Sequence, residues 1–483
     1  MPHYIAERLR AEDASFLLFE SPNAHMHLSW VWIFTGGSLA RADGGVDIAA
    51  IRQHVAARLF RFPRFRQRLA WTPVEGHPAW VDDETFKLRY HVQHAALPDP
   101  GDEMRLQTTA AAIVSQPLDR SKPLWELWVV EGLADGRFAV VTKTHHCMMD
   151  GRSTVDLMHG LLDAEPRPRP EEPADWIPRP APGPVALLRD GVVERVGLAA
   201  RLAGESRRWL LDAHAWRRAV AAVEEVLGAG FARPPATPFN RPIGPHRLMS
   251  WMRVPHEDLR RAGERLGGTV QDVALAAVAG AIDRLLVRSG TRIAGDVIRV
   301  VVPVTACDGS APGAPGNRTE AAVVALPISE RDPRRRVRAI ARATAEARRD
   351  GAELHNLDFL LRVAGLAGRS MLGLGLAARR RLYGCNLVVT DIPGPATPLH
   401  LLDAHLVEAY PLVPLLDDQG LGMAFAVYDG TYHAGLVADW EIVPDLATVA
   451  DDLRAEFATL CRAGGPSHRV ERLPGSASAP TAG

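Results

Sequence analysis

The sequence has few cysteines, and they are far apart. Only four occur among 483 residues, and no two of them form a Cys-x-x-Cys pair: Cys147, Cys307, Cys385 and Cys461. Structural zinc sites and small disulfide scaffolds both need closely spaced cysteines, so neither kind of site is indicated. A reducing, cytoplasmic compartment is expected for such a chain.

The chain also lacks an excess of either charge. Lys and Arg number 56 and Asp and Glu number 57, which gives a formal net charge of −1. Binding to nucleic acid is dominated by neutralisation of phosphates and normally requires a basic surface. We therefore expect no nucleic-acid partner.

Long apolar runs are absent as well. No window approaches the ~20 uninterrupted apolar residues that a membrane-spanning helix requires. The amino terminus has Glu7, Arg8 and Arg10 but no apolar stretch behind a basic start, so it does not have the pattern of a secretion signal. Export and membrane spanning are both disfavoured.

Length and composition predict a protein of several globular domains. Hydrophobic residues make up 47% and charged residues 23% of the chain, which is an ordinary globular composition. Proline-rich stretches divide the sequence into a first domain over 1–165, a linker with bridging helices over 166–245 and a second domain over 246–464. The Gly-, Ser- and Pro-rich tail over 465–483 is expected to be disordered.

Both predicted domains mix strand and helix patterns. Short apolar runs predict strands over Leu28 to Phe34, Phe138 to Thr144 and Ile298 to Val304. Amphipathic or apolar runs of greater length predict helices over Ile48 to Leu59 and Val270 to Val287. The expected fold class is therefore mixed α/β.

Two adjacent histidines, His145 and His146, directly follow one of these predicted strands, and Asp150 and Gly151 come before a predicted helix. Imidazole titrates near neutral pH and is the usual general base for a hydroxyl or an amine. Adjacent residues of a strand point to opposite sides, so one histidine can face a substrate while the other packs inward. Asp150 can then hold the loop in shape, and Gly151 leaves room that a Cβ would fill.

Other interpretations of these residues are open at this stage. Both histidines can be structural and simply hydrogen-bonded. His145, His146 and Asp150 also have the composition of a two-histidine, one-carboxylate metal site, although adjacent strand histidines diverge. Cys147 next to the pair is a candidate thiol nucleophile. The chain has no Gly-x-Ser-x-Gly elbow, which argues against a serine hydrolase.

The segment from His145 to Gly151 resembles the His-His-x-x-x-Asp-Gly signature of the coenzyme-A-dependent acyltransferase superfamily, which includes chloramphenicol acetyltransferase and peptide-synthetase condensation domains. Further stretches resemble the bacterial wax ester synthase/diacylglycerol acyltransferase family. They follow in chain order: Ala11 to Pro22, Pro63 to Leu69, Pro117 to Glu126, Thr237 to His246, Thr269 to Gly280 and Asn386 to Pro395. The resemblance covers about Ala11 to Leu460.

This resemblance implies two chloramphenicol acetyltransferase-like domains with an active-site tunnel between them. It makes His146 the catalytic base, His145 and Asp150 the supports of the loop, and Gly151 the residue that gives room beside the site. The implied reaction moves a fatty acyl group from acyl-CoA to a lipid hydroxyl, on diacylglycerol or a long-chain alcohol. No metal and no cofactor besides the acyl-CoA substrate is expected.

Two further elements are similar to the substrate-side motifs of the family. The first is the triplet Pro123, Leu124 and Trp125, which by itself is also typical of core packing. The second is Asn386, whose amide can donate to a developing oxyanion or can simply satisfy a turn. The sequence departs from the family at Asp391, where asparagine is frequent, and we expect this carboxylate to influence the choice of acceptor.

The acceptor and product implied by the resemblance are insoluble, so we expect peripheral contact with the inner membrane face or lipid droplets. The segment Val185 to Leu227 combines arginines with Trp209 and Trp216, as at a headgroup interface; packing against another domain is the alternative. The runs Arg334 to Arg336 and Arg379 to Arg381 are candidates for contacting CoA phosphates.

Two rival functions remain open. A condensation-type enzyme would use the same histidine on an amine or on another hydroxyl acceptor. A catalytically inactive lipid-binding scaffold would keep the fold without turnover.

Overall fold

The computed structural model describes residues 6–35, 37–41, 45–73, 76–149, 151–166, 175–193, 196–197, 200, 234–304, 320–351, 384–395 and 397–464. They form two six-stranded sheets and one three-stranded sheet. Within these ranges, no helix has both the length and the apolar character needed to cross a bilayer. Asp150, the run Arg379 to Arg381, most of the predicted bridging helices and the tail over 465–483 lie outside the described residues.

The first half of the chain forms most of a six-stranded sheet, with helices on both faces of that sheet, and a separate three-stranded sheet. Its elements in chain order are β1 (Glu7–Arg8), α1 (Ala11–Phe19), β2 (His27–Phe34), α2 (Ile48–Arg58), β3 (Gln67–Trp71), β4 (Pro78–Asp82), α3 (Leu88–His91), β5 (Val92–Ala96), α4 (Glu103–Ser115), β6 (Trp125–Leu133), β7 (Arg137–His145) and α5 (Gly151–Leu161).

The second half forms a sheet that has helices on one face. Its elements are β8 (Arg247–Pro255), α6 (His256–Leu266), α7 (Val270–Arg288), β9 (Val297–Val304), β10 (Glu320–Pro327), α8 (Pro333–Gly351), β11 (Leu387–Ile392), β12 (His400–Leu401), β13 (Ala404–Leu412), β14 (Leu421–Tyr428), β15 (Thr431–Asp439) and α9 (Leu446–Ala463). The mixed α/β class is therefore confirmed.

The first sheet has the strand order β12-β13-β2-β7-β6-β5. Strand β2 is buried along its whole length, which its nearly continuous apolar sequence predicts for a strand covered on both faces. Its neighbour β13 comes from the second half of the chain and pairs with β2 in antiparallel fashion. A strand of the second half thus completes the sheet of the first half, and the two halves interlock.

The second sheet has the strand order β10-β9-β11-β14-β15-β8. Its helix-covered face forms a large apolar core that includes Leu259, Val273 and Phe457. Helix α7 begins with a capping box, in which Thr269 Oγ1 accepts from the Asp272 N–H at 3.2 Å and Asp272 accepts from the Thr269 N–H at 2.8 Å. This start fixes the longest buried helix against the sheet.

The two sheets meet where β13 packs against β14 and β15. An apolar cluster at this junction contains Val31 and Val141 of the first sheet and Trp251 and Val437 of the second. The Trp251 ring stacks on Tyr410 of β13, with centroids 5.2 Å apart. The ends of β2 and β7 that carry the histidines lie along this interface between the two halves.

Candidate active site

The histidine pair stands where β7 leaves the first sheet. His145 is the last residue of the strand and pairs with His27 of β2. The main chain remains held on both sides, because the His145 N–H donates to the Leu124 carbonyl at 2.9 Å and the His146 N–H donates to the Met26 carbonyl at 2.8 Å. The predicted strand-to-loop placement of the motif is confirmed.

The ring of His146 is half-buried and stacks face to face on Phe16 of α1. The ring centroids are 3.8 Å apart and the planes differ by 11°. Both nitrogens of an imidazole lie on its perimeter, so a stacked neighbour orients the ring without covering either nitrogen. Helix α1 therefore helps to fix the plane of the His146 ring.

His145 has different neighbours and braces the loop from inside. Its side chain is buried, its Nδ1 accepts the N–H of Cys147 at 3.0 Å, and its Nε2 lies 3.1 Å from Oε1 of Glu20. Because Nδ1 accepts, the neutral ring has its proton on Nε2, the nitrogen that lies next to the Glu20 carboxylate. This arrangement fits a residue that supports the loop.

Glu20, which follows α1, is a site residue that sequence reasoning missed. Its carboxylate meets His145, forms an ion pair with Arg120 and accepts the Met26 N–H at 3.0 Å. Burial by itself raises the pKa of this carboxyl, but His145 and Arg120 outweigh burial and hold the pKa well below its usual range. The ionised carboxylate ties α1 and the loop after β7 together.

The thiol of Cys147 points into an apolar cluster with Leu17, Trp80 and Leu124. Burial raises the pKa of this thiol well above its ordinary value, with a smaller contribution from acidic neighbours. A protonated thiol in such surroundings is a poor nucleophile. The interpretation of Cys147 as an attacking thiol gains no support from this position.

The triplet Pro123, Leu124 and Trp125 is buried under the loop. Trp125 Nε1 donates to the carbonyl of Phe65 at 2.8 Å, and its ring stacks on His91 with centroids 4.6 Å apart. The triplet is connected to the histidine pair by a main-chain hydrogen bond, in which the Leu124 carbonyl accepts the His145 N–H. The geometry corresponds to the packing alternative for this triplet.

Asn386 is fully buried and uses its whole amide within the protein. Oδ1 accepts the Arg299 N–H at 2.9 Å, and Nδ2 donates to the Pro235 carbonyl at 2.8 Å and to Asn240 Oδ1 at 2.7 Å. An amide nitrogen has two hydrogens, and both are used here. Asn386 thus clamps the segment before β8 to β9, and in this conformation it has no donor left for an oxyanion.

Asp391 lies on the helix-covered face of the second sheet. Alternation along β11 places it on the same side as Leu387 and Val389, both members of the large core. Burial raises the pKa of its carboxyl to about 6, although a hydrogen bond from Tyr432 opposes the shift. The sequence predicts that Asp391 contacts the acceptor, but a carboxylate with this orientation does not provide that contact.

Asp391→Asn is expected to stabilise the protein strongly at pH 7.5 and much less at pH 4.5. The folded-state pKa of about 6 exceeds the reference value of 3.8, so the fold favours the protonated carboxyl and loses stability as pH rises from about 4 through 6. Complete ionisation then costs on the order of 3 kcal/mol, which asparagine avoids. Urea unfolding at the two pH values measures the difference; an equal change at both would contradict this account.

Gly151 is the first residue of α5, and Asp150 before it lies outside the described residues. The described part of the chain contains no group of three His, Cys, Asp or Glu side chains placed to hold a metal ion. The run Arg334 to Arg336 does not act as one basic patch, because Arg336 is buried and paired with Glu456 at 2.9 Å.

Two family models match the chain. The model described as the wax ester synthase/diacylglycerol acyltransferase catalytic domain matches residues 9–274, and the model of the WS/DGAT C-terminal domain matches residues 315–461. Together they cover both halves of the chain and every described residue of the histidine motif.

Named relatives extend over nearly the whole chain. A Mycobacterium tuberculosis protein named as the diacylglycerol O-acyltransferase tgs1 is 32% identical over 452 residues, which are 93% of this chain and 94% of that protein. A second protein of this organism, also named as a diacylglycerol O-acyltransferase, is 30% identical over 466 residues, 95% of this chain and 97% of the relative.

Solved structures share the fold. The wax ester synthase/diacylglycerol acyltransferase from Marinobacter aquaeolei aligns with a TM-score of 0.66 at 22% identity, over 95% of this chain and all of that one. The first condensation domain of the calcium-dependent antibiotic synthetase aligns with a TM-score of 0.58 at 16% identity, over 95% of this chain and 96% of the other. The expected two-domain architecture is therefore confirmed.

Proposed function

Since the chain belongs to the wax ester synthase/diacylglycerol acyltransferase family and is an acyltransferase, we propose that it transfers a fatty acyl group from acyl-CoA to a lipid hydroxyl, with His146 as the general base. The proposed acceptors are diacylglycerol, which gives triacylglycerol, and a long-chain alcohol, which gives a wax ester. The observation that carries the assignment of the base is the His146 ring, held on Phe16 at the end of β7.

In the proposed reaction His146 takes the proton of the acceptor hydroxyl as its oxygen attacks the thioester carbonyl. The tetrahedral intermediate collapses, the carbon–sulfur bond breaks, and the CoA thiolate takes up the proton from the imidazolium. An ester and free CoA are the products. The thioester is already activated, so no covalent acyl-enzyme and no further cofactor are needed.

His145 and Glu20 have supporting roles in this proposal. The Glu20 carboxylate keeps the His145 proton on Nε2, and His145 Nδ1 holds the main chain of the turn after His146. A base works only when its ring is held within hydrogen-bond reach of the hydroxyl. Asp150 and Gly151 complete the motif, and we propose that Asp150 supports the loop and that Gly151 leaves room beside the site.

Release of CoA thiol from palmitoyl-CoA tests the function. The purified protein is supplied with dioleoylglycerol, with hexadecanol, with a long-chain amine, or with no acceptor. Release that depends on one of the two hydroxyl acceptors supports the proposal and ranks them. Release that depends only on the amine would favour a condensation-type enzyme, and none with any acceptor would favour the scaffold.

We also propose that the helical residues from 184 meet the lipid surface from which the acceptor is drawn. Val185, Val192 and Val196 recur at helical spacing and are 82%, 50% and 64% exposed. On the other side Leu187 is buried against Ala79 of β4. An exposed apolar stripe on an anchored helix is the pattern of an interfacial segment.

The double variant Val185→Asp/Val192→Asp is expected to reduce flotation with phosphatidylglycerol-containing liposomes at least tenfold, because two charges cannot enter the acyl boundary. Turnover of a detergent-dispersed acceptor should remain within about twofold of wild type, since both side chains lie on the surface. Unchanged flotation would refute contact through this stripe.

A further inference from the structure

A cavity of about 380 Å³ opens between the two sheets, away from the histidines. Strand β13 supplies Glu408 and Tyr410 to its wall, and β8 supplies Trp251 and Arg253. The remaining lining includes Ile33 of β2, Glu103 of α4, Leu133 of β6, Arg137 of β7 and Arg454 of α9. Both halves of the chain therefore build it.

The charges at this cavity favour an anion. Three guanidinium groups, of Arg137, Arg253 and Arg454, line the cavity. They face two carboxylates, those of Glu103 and Glu408. One carboxylate, Glu408, is already engaged, since it pairs with Arg253 and accepts from the Tyr410 hydroxyl at 2.6 Å. Burial raises the pKa of the Tyr410 phenol, so it stays protonated as the donor in that bond.

Among the described residues, the side chains of two of the arginines have polar partners only within three residues of them in sequence. Arg137 donates from Nε to the Ala134 carbonyl at 3.2 Å and lies 3.8 Å from Asp135, and Arg454 pairs with Asp451 one helical turn earlier. Their side chains are 34% and 52% exposed. Each guanidinium has five N–H donors, so most of these donors remain for a ligand. Phosphate oxygens match such a fork geometry.

The distance between this cavity and the histidines is of the same order as the length of an extended pantetheine arm. Ile33 at the cavity and His27 beside His145 are six residues apart on β2, which corresponds to about 20 Å of strand. A second, small cavity at the near end is lined by His25, His27 and Val437. The pantetheine arm of CoA has roughly thirteen bonds from sulfur to phosphorus, and an extended chain of that length spans about 15 Å.

We propose that Arg137, Arg253 and Arg454 bind the phosphates of the acyl donor's CoA part, and that Trp251 and Tyr410 wall this site. The inference rests on the proposed function, because it takes acyl-CoA as the donor. It places the donor's phosphates on the cavity side of the interface and its thioester at the histidine end. The run Arg334 to Arg336 on α8, a candidate from the sequence for contacting CoA phosphates, then does not have this role.

The test compares two donors on the double variant Arg137→Gln/Arg454→Gln. Both side chains are partly exposed, so the variant is expected to fold. KM for palmitoyl-CoA should rise about 10- to 100-fold, since charge-assisted bonds to phosphate are lost. kcat/KM for palmitoyl-pantetheine, which has no phosphate, should stay within about twofold. The charge-matched control Arg338→Gln/Arg342→Gln, exposed on α8, should leave both donors unchanged.

An equal loss of kcat/KM with both donors, or no loss of kcat/KM with either donor, would overturn the proposal. Weaker flotation of the variant with phosphatidic acid vesicles, with an unchanged KM for palmitoyl-CoA in detergent, would overturn it in favour of a phospholipid headgroup. Calorimetry with CoA alone separates this inference from the function. If wild type binds CoA, the variant binds it at least tenfold more weakly and no donor is turned over, the phosphate site stands and the proposed function fails.

Discussion

His146→Ala is expected to lower kcat for acyl transfer by a factor on the order of 10² to 10⁴, the range that a positioned general base contributes. The half-buried ring stacks on Phe16 at the end of β7, and its removal takes away the proposed proton acceptor. KM for palmitoyl-CoA should change little, because the imidazole acts on the acceptor hydroxyl. Initial rates of CoA release at saturating acceptor measure the effect.

Cys147→Ala is the matched control for that experiment. Its thiol lies in an apolar cluster next to the base, and burial raises its pKa, so kcat should remain within about threefold of wild type. Thermal unfolding of both variants confirms that they are folded. Near-normal turnover by folded His146→Ala, or a collapse of kcat in folded Cys147→Ala, would remove His146 from its assigned role.

Glu20→Gln is expected to lower kcat about 10- to 100-fold and to leave KM for palmitoyl-CoA within about twofold, as loss of a supporting partner does at other sites. Glutamine keeps the shape and an acceptor but removes the charge between His145 and Arg120. The His145 ring then loses the charge that fixes its tautomer, and the turn that presents His146 loosens.

The fraction of folded protein distinguishes positioning from general destabilisation. A variant that is merely less folded also loses apparent kcat without a change in KM, and thermal unfolding would reveal this loss. The control Glu257→Gln removes an exposed carboxylate from α6 and should not alter kcat. Glu20→Asp, which keeps the charge, should recover part of the loss; an unchanged kcat in Glu20→Gln would refute the positioning role.

Local patterns in the sequence predict the strands around the site closely. The run Phe138 to Thr144 becomes β7, and the run Ile298 to Val304 becomes β9, each within one residue of its bounds. Continuous apolar runs mark buried strands regardless of where they lie in the fold. Strands β14 and β15 form a hairpin, with positive φ at Asp429 and Gly430 in its turn.

Contacts between distant segments could not be derived in this way. Glu20 meets His145 because α1 packs across the end of β7, and no local pattern encodes that approach. Both Glu20 and Arg120 nevertheless lie in the family-like stretches Ala11 to Pro22 and Pro117 to Glu126, so the signal was present without its geometry. The insertion of β13 into the first sheet is equally non-local, because the sequence of a strand does not specify which other strand it pairs with.

The roles of Asn386 and Asp391 show a second limit. Both residues lie in the family-like stretch Asn386 to Pro395, but the direction of each side chain depends on what surrounds it. Asn386 is closed off by Pro235, Asn240 and Arg299, and Asp391 faces the core below α7. The hydrogen-bond partners of a buried side chain depend on the tertiary structure, and a motif match alone does not determine them.

The most direct test of the account follows the acyl group itself. Palmitoyl-CoA labelled in its acyl chain is incubated with the wild-type protein and dioleoylglycerol or hexadecanol, and the lipid products are separated and identified by mass spectrometry. The account predicts labelled triacylglycerol or wax ester in equal amount to the CoA released, and neither with His146→Ala. Labelled free palmitate as the main product, with or without an acceptor, would contradict it.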